Sequence, residues 1–544
     1  MRLLYLAAVI LAPLVVLALQ TARFDPYNEG VVITFGMLIA DGFWPGKDFH
    51  ATYGPLHYIL GETLYSAFGG NLLAPRLYYI SFLALAFLGL TSLLEPWRDR
   101  TRLAAALLLL AVLTAVSLKI ADVYFWPGRM ALGLCALFLM AMLLRPSGDT
   151  GPSGAFRVAL AHMLLLVPLL FIRPVFCAIL LAGLLAAAPL HLANHGALNA
   201  GAAARFGSGL LVAIGAVALA LISYELATDG ALAAAMADLD EIGAGTYRAA
   251  AGLPFPPFGW PPGREALFSY APIWIIGGAG AIYLAALLRD GILAPRQKDG
   301  VLYMLMVTGA LYSFNIVRTH PTHAFPSLLV SLALAAYLGT VLAERFLPRR
   351  ILGPLSAVGI VGGLVALPGT GLLIPSTGQP TLAETCTLSN AFEPPYGCLV
   401  IEERHKDLHR VLEATLRPGE RFHSANARHD KGFGGNLSHY AVTGHLPLSY
   451  WAQFDPGVQS TARVQRAIVA ELEAAVAQTG RAVVVIEEQP PPWEPNLSSQ
   501  SSGVTILEDW LDVCAPVFLR DRIALVICGE TSRRPDTIDR GAQR

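Results

Sequence analysis

Between residues 76 and 343 one apolar run follows another, and most of the charge sits in short loops between them. A span needs about 20 mostly apolar residues. In hydrocarbon the backbone must satisfy its own hydrogen bonds, so these runs are predicted to be helices. Candidates fall at 3–20, 76–94, 103–119, 128–144, 157–172, 174–192, 207–225, 269–288, 300–317, 323–343 and 351–373, about eleven spans in all. The 157–192 stretch reads as a helical hairpin or as one long broken segment. Only 14% of the 544 residues are charged, well under the usual share of about a quarter for soluble domains. The charge is uneven: few charged residues interrupt 1–375, whereas 376–544 has the composition of a soluble domain. The boundary is placed near Pro375, in LPGTGLLIPSTGQPT. The expected architecture is an α-helical polytopic membrane domain over 1–375, with a long loop at 21–75, followed by a soluble α/β domain over 376–544.

Lysine and arginine in short loops set orientation. With the N-terminus in the cytoplasm, the loops EPWRDRTR, RPSGDTGPSGAFR, ANHGALNAGAAARFG, RDGILAPRQKDG and ERFLPRRI lie inside. Residues 21–75 and the C-terminal domain are then exported from an inner (plasma) membrane. Residues 1–20 could be a signal peptide, but no clear A-x-A site follows, so they read as an uncleaved first helix. Lys+Arg (38) nearly match Asp+Glu (39), so no basic field calls for nucleic acid, and membrane lipids are the expected surroundings. Cys135 and Cys177 lie in predicted spans. Cys386, Cys398, Cys514 and Cys528 lie in the exported domain, where an even number suggests disulfides. Of three connectivities the pairing of sequence neighbours is favoured, Cys386–Cys398 and Cys514–Cys528; four buried thiols are the alternative.

The 21–75 loop carries Asp25, Glu29 and Asp48. Asp25 and Glu29 are four apart, which puts them on one helix face. Pro26 suits a first turn, and GVVITFGMLIADG continues the helix. Asp25 can be its N-cap; capping leaves Glu29 and Asp48 without a role. Asp48 can also be a loop acid paired with Lys47. Tyr53 to Phe68 is too short and polar to span; it is expected to form an amphipathic helix in the interface, with tyrosine at headgroup depth and Glu62 on its polar face.

Ionisable residues at membrane depth are costly and tend to be functional. On the outward side these are Lys119, Asp122, Arg129, Arg173, Glu225, Arg318, His320 and His323. Arginine, with its fixed charge and planar fork of donors, suits a phosphate. Arg173 and Arg318, then Arg129, are the leading candidates; each could equally be a snorkelling interfacial cation. His320 and His323, with Glu29 and Asp48 brought near, could bind a divalent cation, although no closed-site signature is present. The 226–268 loop, rich in proline, glycine and aromatics, could cover a substrate. In the C-terminal domain helices are expected near 403–416 and 461–478, and strands at Arg481–Glu487 and Ile523–Cys528. GFGGN at 432–436 lacks the context of a nucleotide-binding turn.

An acidic pair with glycine, an Asp-Phe about eighteen residues on, then Tyr53-Gly54-Pro55-Leu56, a short helix and Arg76 together resemble the first outer loop of GT-C type glycosyltransferases. That superfamily includes the lipid A aminoarabinose transferases and the protein O-mannosyltransferases. The resemblance covers mainly residues 21–80. It implies transfer of a sugar from a polyprenyl-phosphate donor to an acceptor (a glycan, lipid or protein) at the outer membrane face, with inversion. Glu29 or Asp25, with Asp48, would serve as catalytic carboxylates; Arg173, Arg318, Arg129, His320, His323 and Tyr53 would bind substrate. Many such enzymes have Asp-Glu where this chain has Asn28-Glu29. Some need a divalent metal and others do not. Two other readings are a transporter or flippase for a lipid-linked sugar, which would favour internal repeats that are not seen, and a non-catalytic envelope assembly protein.

Overall fold

The computed structural model describes residues 2–26, 28–119, 128–143, 165–194, 200–242, 252–257, 264–346, 380–387, 389–391, 393–430, 435–453, 460–488 and 500–529. The expected span at 351–373, the start of that at 157–172, Asp122 and much of the 226–268 loop lie outside the described residues. The chain forms two compact units: Met1–Ala22, Arg76–Ser223 and Pro254–Ala391 make the first, and Arg23–Pro75, Tyr224–Leu253 and Phe392–Arg544 the second.

The first unit is helical. Among the described residues six helices are long and apolar enough to cross a membrane: Ala74–Ser92, Arg100–Leu118, Pro174–His191, Gly207–Thr228, Phe268–Leu288 and His323–Phe346. The chain is a multi-pass membrane protein. Arg2–Ala18 and Gly128–Leu143 are apolar but shorter. Pro295–Val317 is long enough but opens with Arg296, Lys298 and Asp299. Apolar side chains face outward, as Leu211 (71% exposed) and Leu219 (66%) do, which suits a hydrocarbon solvent rather than water. Where helices touch, small residues permit close approach. A Cβ at Gly89 would come within 2.6 Å of the Ala136 carbonyl oxygen, and one at Gly133 within 2.7 Å of that of Phe82.

The 157–192 stretch is settled over its described part. Helix 165–172 stops at Arg173 and a second helix runs Pro174–Asn194. Pro174 has no N–H to donate and pushes its predecessor out of helical geometry. The Cys177 thiol reaches back to the Leu166 carbonyl at 3.4 Å, a contact an unbroken helix eleven residues long could not make. The chain turns a corner here.

The second unit is built around a four-stranded sheet of β1 (His423–Asn426), β2 (Ala482–Glu487), β3 (Ala515–Arg520) and β4 (Ile523–Cys528), in the order β1-β2-β4-β3. β1 and β2 are parallel; β4 runs antiparallel to both β2 and β3. Alternation along a strand sends successive side chains to opposite faces. Val483, Val485, Ile523 and Leu525 face one core, and Ala482, Val484, Val526 and Cys528 the other. The second face is covered by Ala462–Thr479 and Ile506–Leu511 through Ile468, Leu472, Leu507 and Leu511. The first is covered by Glu403–Thr415 and by two helices from the expected outer loop, Asn28–Ala40 and Pro55–Ala67: Val31, Phe35, Leu38 and Tyr58 pack with Leu408, Leu412 and Tyr440. A Cys514–Cys528 disulfide pins the ends of the β3–β4 hairpin, as expected. Cys135 and Cys177 are free and buried.

The helix Pro55–Ala67 therefore does more than lie flat on a surface. Tyr58 is fully buried and meets Phe35 edge-on at 5.3 Å. The Tyr65 hydroxyl donates to the Ala441 carbonyl at 2.6 Å. Gly36 lets this helix sit close, since a Cβ there would lie 2.6 Å from the Tyr58 carbonyl oxygen.

Candidate functional site

In the second unit the predicted acids lie at helix and turn ends. The Asp25 carbonyl accepts from Glu29 N at 3.0 Å, making Asp25 the N-cap of the helix Asn28–Ala40. Its carboxylate accepts from Asn28 N at 3.0 Å and from Asn28 Nδ2 at 2.7 Å. Glu29 is buried and its carboxylate reaches back to accept from Asp25 N at 2.7 Å, a reciprocal arrangement akin to a capping box. This gives Asn28 a physical role. A carboxylate at 28 would face that of Asp25, whereas the amide donates to it.

Asp48 is exposed and closes a tight turn by accepting from Trp44 N at 2.8 Å. It is not the partner of Lys47, which instead pairs with Asp229 at 2.9 Å. Flexible Lys47 reaches an acid on the segment after Tyr224, while the Asp48 carboxylate is taken up locally. Tyr53 is partly buried beside His57, with ring centroids 5.5 Å apart. Glu225 caps the helix Ala231–Ile242, accepting from Leu232 N at 2.8 Å.

In the first unit the cations gather. Arg173 sits at the corner just described, its guanidinium 5.2 Å from the centre of the Phe176 ring. Arg318 follows the helix Pro295–Val317. Two residues later the His320 carbonyl accepts from His323 N at 2.9 Å and Ala324 N at 3.1 Å, so His320 caps the helix Pro321–Phe346 with Pro321 in its first turn. The His320 and His323 rings are 6.3 Å apart. His323 lies within electrostatic reach of Arg318, Arg173 and His320. Two guanidiniums, two imidazoles and a helix N-terminus with its partial positive charge thus meet in one region, a combination suited to an anion. Arg129 is placed near the start of the helix Gly128–Leu143. Among the described residues no cluster of three or more His, Cys, Asp and Glu is suited to hold a metal ion.

The opposite ends of the same helices carry a second charged layer. Arg102 is buried and bridges Glu344 (2.6 and 2.7 Å) and Glu95 (2.5 Å). Asp299 accepts from Asn194 Nδ2 at 3.0 Å and lies 3.2 Å from His191 Nδ1.

A comparison with solved structures finds this fold elsewhere. Over 98% of this chain and 99% of that one, the structure is similar to ArnT from Cupriavidus metallidurans bound to undecaprenyl phosphate, at TM-score 0.55 and 13% identity. The apo state of the same protein gives TM-score 0.55 and 12% identity over the same shares. The Archaeoglobus fulgidus oligosaccharyltransferase in complex with zinc and sulfate is more distant, at TM-score 0.46 and 14% identity over 88% of this chain and 68% of that one. No family model matches the sequence, and no curated protein matches it either. At such low identity the likeness is one of fold, and as fold it agrees with the resemblance first read from residues 21–80.

Sequence reasoning passed over a buried polar group in the second unit. Tyr396, His409 and His439 are hydrogen-bonded in a row, His405 and Asn436 both meet Glu487, and His439 Nε2 stands 3.6 Å from Glu487 between the two groups. The visible signal was His405 and His409, four apart and so on one helix face.

Proposed function

We propose that this protein is a membrane glycosyltransferase that takes its sugar from a polyprenyl-phosphate donor, at the outer face of an inner (plasma) membrane. The observation that carries the proposal is the end-to-end fold likeness to ArnT bound to undecaprenyl phosphate. Fold alone does not fix chemistry; the cationic region of the first unit supplies the second line of support. As the bond to the anomeric carbon breaks, negative charge grows on the departing lipid phosphate. Arg173 and Arg318, helped by His320, His323 and Arg129, are the groups proposed to receive it, and a fixed cation in a low-dielectric site is most effective where charge develops. Glu29 is the proposed general base on the acceptor hydroxyl. It is buried, and its carboxylate accepts from Asp25 N. Asp25 is occupied as a cap and is proposed to orient Glu29; Asp48 and Tyr53 line the acceptor side. A single displacement inverts the anomeric centre. The fuller architecture belongs to this reading: about eleven spans, a membrane domain over 1–375 and an exported α/β domain over 376–544.

Full-length protein in detergent, incubated with a panel of labelled polyprenyl-phosphate sugars, tests the proposal. Release of polyprenyl phosphate with appearance of a glycosylated product is expected for one donor. Movement of the intact donor across a vesicle bilayer without bond cleavage would replace the proposal with a transporter. Saturable binding without turnover for every donor and acceptor offered would replace it with an assembly role.

A further inference from the structure

The second unit contains a chain of neighbouring polar groups that the proposed reaction does not use. The Tyr396 hydroxyl lies 2.6 Å from His409 Nδ1. His409 Nε2 lies 2.9 Å from His439 Nδ1. His439 Nε2 points at Glu487 Oε2 from 3.6 Å. From the other side His405 Nε2 meets Glu487 Oε1 at 2.9 Å, and Asn436 Nδ2 donates to Oε2 at 3.0 Å. His409, His439, Asn436 and Glu487 are all buried. The chain ties three elements together: the helix Glu403–Thr415, the segment 435–443 and the end of β2.

One set of tautomers satisfies the two hydrogen bonds from Tyr396 through His409 to His439. Tyr396 donates to His409, His409 donates from Nε2 to His439, and His439 Nε2 faces the Glu487 carboxylate across 3.6 Å, a separation too long for a hydrogen bond. Both histidines are then neutral. The 2.9 Å contact between the rings needs one bare nitrogen. It survives one added proton and not two, because two imidazoliums would bring N–H against N–H.

Few charges are available to compensate. Glu487 is the carboxylate facing the pair, and it already meets His405 and Asn436, with His439 Nε2 at 3.6 Å and Arg404 Nη2 at 3.9 Å. The other charges His409 feels are the histidines His439 and His405; Tyr396 adds the outer influence of Glu413, Arg410 and Glu403. β4 brings apolar Ile523 opposite Glu487. Burial acts in the same direction, disfavouring the charged form of His409 and of His439.

We infer that this chain is an acid-sensitive latch: at neutral pH it holds the helix Glu403–Thr415 to the sheet, and protonation of the His409–His439 pair releases that helix. The inference does not depend on sugar transfer. A buried histidine that stays neutral in the closed state is disfavoured about tenfold at about pH 5.5, relative to an open state with an ordinary value near 6.5, so excluding the second proton from the pair is worth about tenfold.

Hydrogen–deuterium exchange on the full-length protein, expressed as protection relative to intrinsic rates, reads the latch directly. The helix Ala462–Thr479, on the other sheet face and free of histidine, is the internal reference. Going from about pH 7.5 to about pH 5.5, protection of Glu403–Thr415 relative to the reference is expected to fall by about tenfold or more. The double variant His409→Gln and His439→Gln should flatten that ratio, while His445→Gln, whose ring meets the Glu420 carbonyl outside the chain, should leave it steep. A wild-type ratio that does not change with pH overturns the inference without any variant. A double variant that folds and keeps the full wild-type step also overturns it.

Discussion

The two units handle buried polarity in opposite ways. In the helical unit charge is pushed to helix ends. The corner at Arg173, and the Arg318 and His320 stretch, stand at one end of their helices; Asn194, Asp299 and Glu344 stand at the other, with apolar sequence between. In the sheet-bearing unit ionisable groups sit in the interior, some of them with partners, as Glu487 has in His405 and Asn436, and others held neutral by burial, as His423 is. A span cannot bury a charge in hydrocarbon without large cost, whereas a domain with loops and strand ends can supply partners. Charged residues in the first unit are therefore the better guide to ligand chemistry, and those in the second the better guide to folding and its pH dependence.

The sharpest challenge to this contrast is to open a core. Phe35→Ala should cost roughly 3–5 kcal/mol of the second unit's stability, because its ring is fully buried against Phe49 at 4.8 Å and Tyr58. Denaturant unfolding of the full chain, followed at the sheet unit, would show it; a near-neutral result would mean that residues 28–67 are peripheral to that core. Arg102→Met should cost about 3 kcal/mol in the bundle, by leaving Glu344 and Glu95 without their shared cation. Thermal unfolding in detergent measures it.

Acid should separate the units next. The His423 ring is pushed down to about 4 by burial, and that of His429 to about 3 by burial and the neighbouring His423. His409 and His439 are lowered as well. Each is depressed in the fold, so the stabilisation is complete above the unfolded value near 6.5 and is lost as pH falls toward the folded values. The sheet unit should unfold progressively more easily below about pH 6.5, while the bundle changes less; equal losses in both would break the comparison. A smaller effect is expected of Asp25→Ala, which removes an N-cap and should cost about 1 kcal/mol.

How far the fold could be read in advance follows from the same physics. Val483 to Ile486 and Ile523 to Ile527 are apolar runs with β-branched residues, and both strands fall where expected. β1 reads His-Ser-Ala-Asn and β3 carries Pro516, so neither has a strand's usual composition; pairing with β2 and β4 creates them. The helix beginning near Asp25 was legible from its cap, its proline and its apolar run. That its Val31 and Phe35 pack against Leu412 and Tyr440 was not, because nothing local encodes a partner hundreds of residues away. The site divides similarly. Arg173, Arg318, His320 and His323 could be named from their positions at span ends; the amide of Asn28 serving Asp25, and the histidine chain ending at Glu487, became visible only in three dimensions.

The central claim is sugar transfer from a polyprenyl-phosphate donor, and single-turnover cleavage of that donor by wild type and Glu29→Gln tests it most directly. Glutamine keeps the carbonyl oxygen that accepts from Asp25 N but cannot take a proton. The account predicts donor binding within about twofold of wild type and a cleavage rate reduced by about a hundredfold or more, the usual scale for loss of a general base. Full-rate transfer by Glu29→Gln, or no cleavage of any polyprenyl-phosphate sugar by wild type, would contradict it.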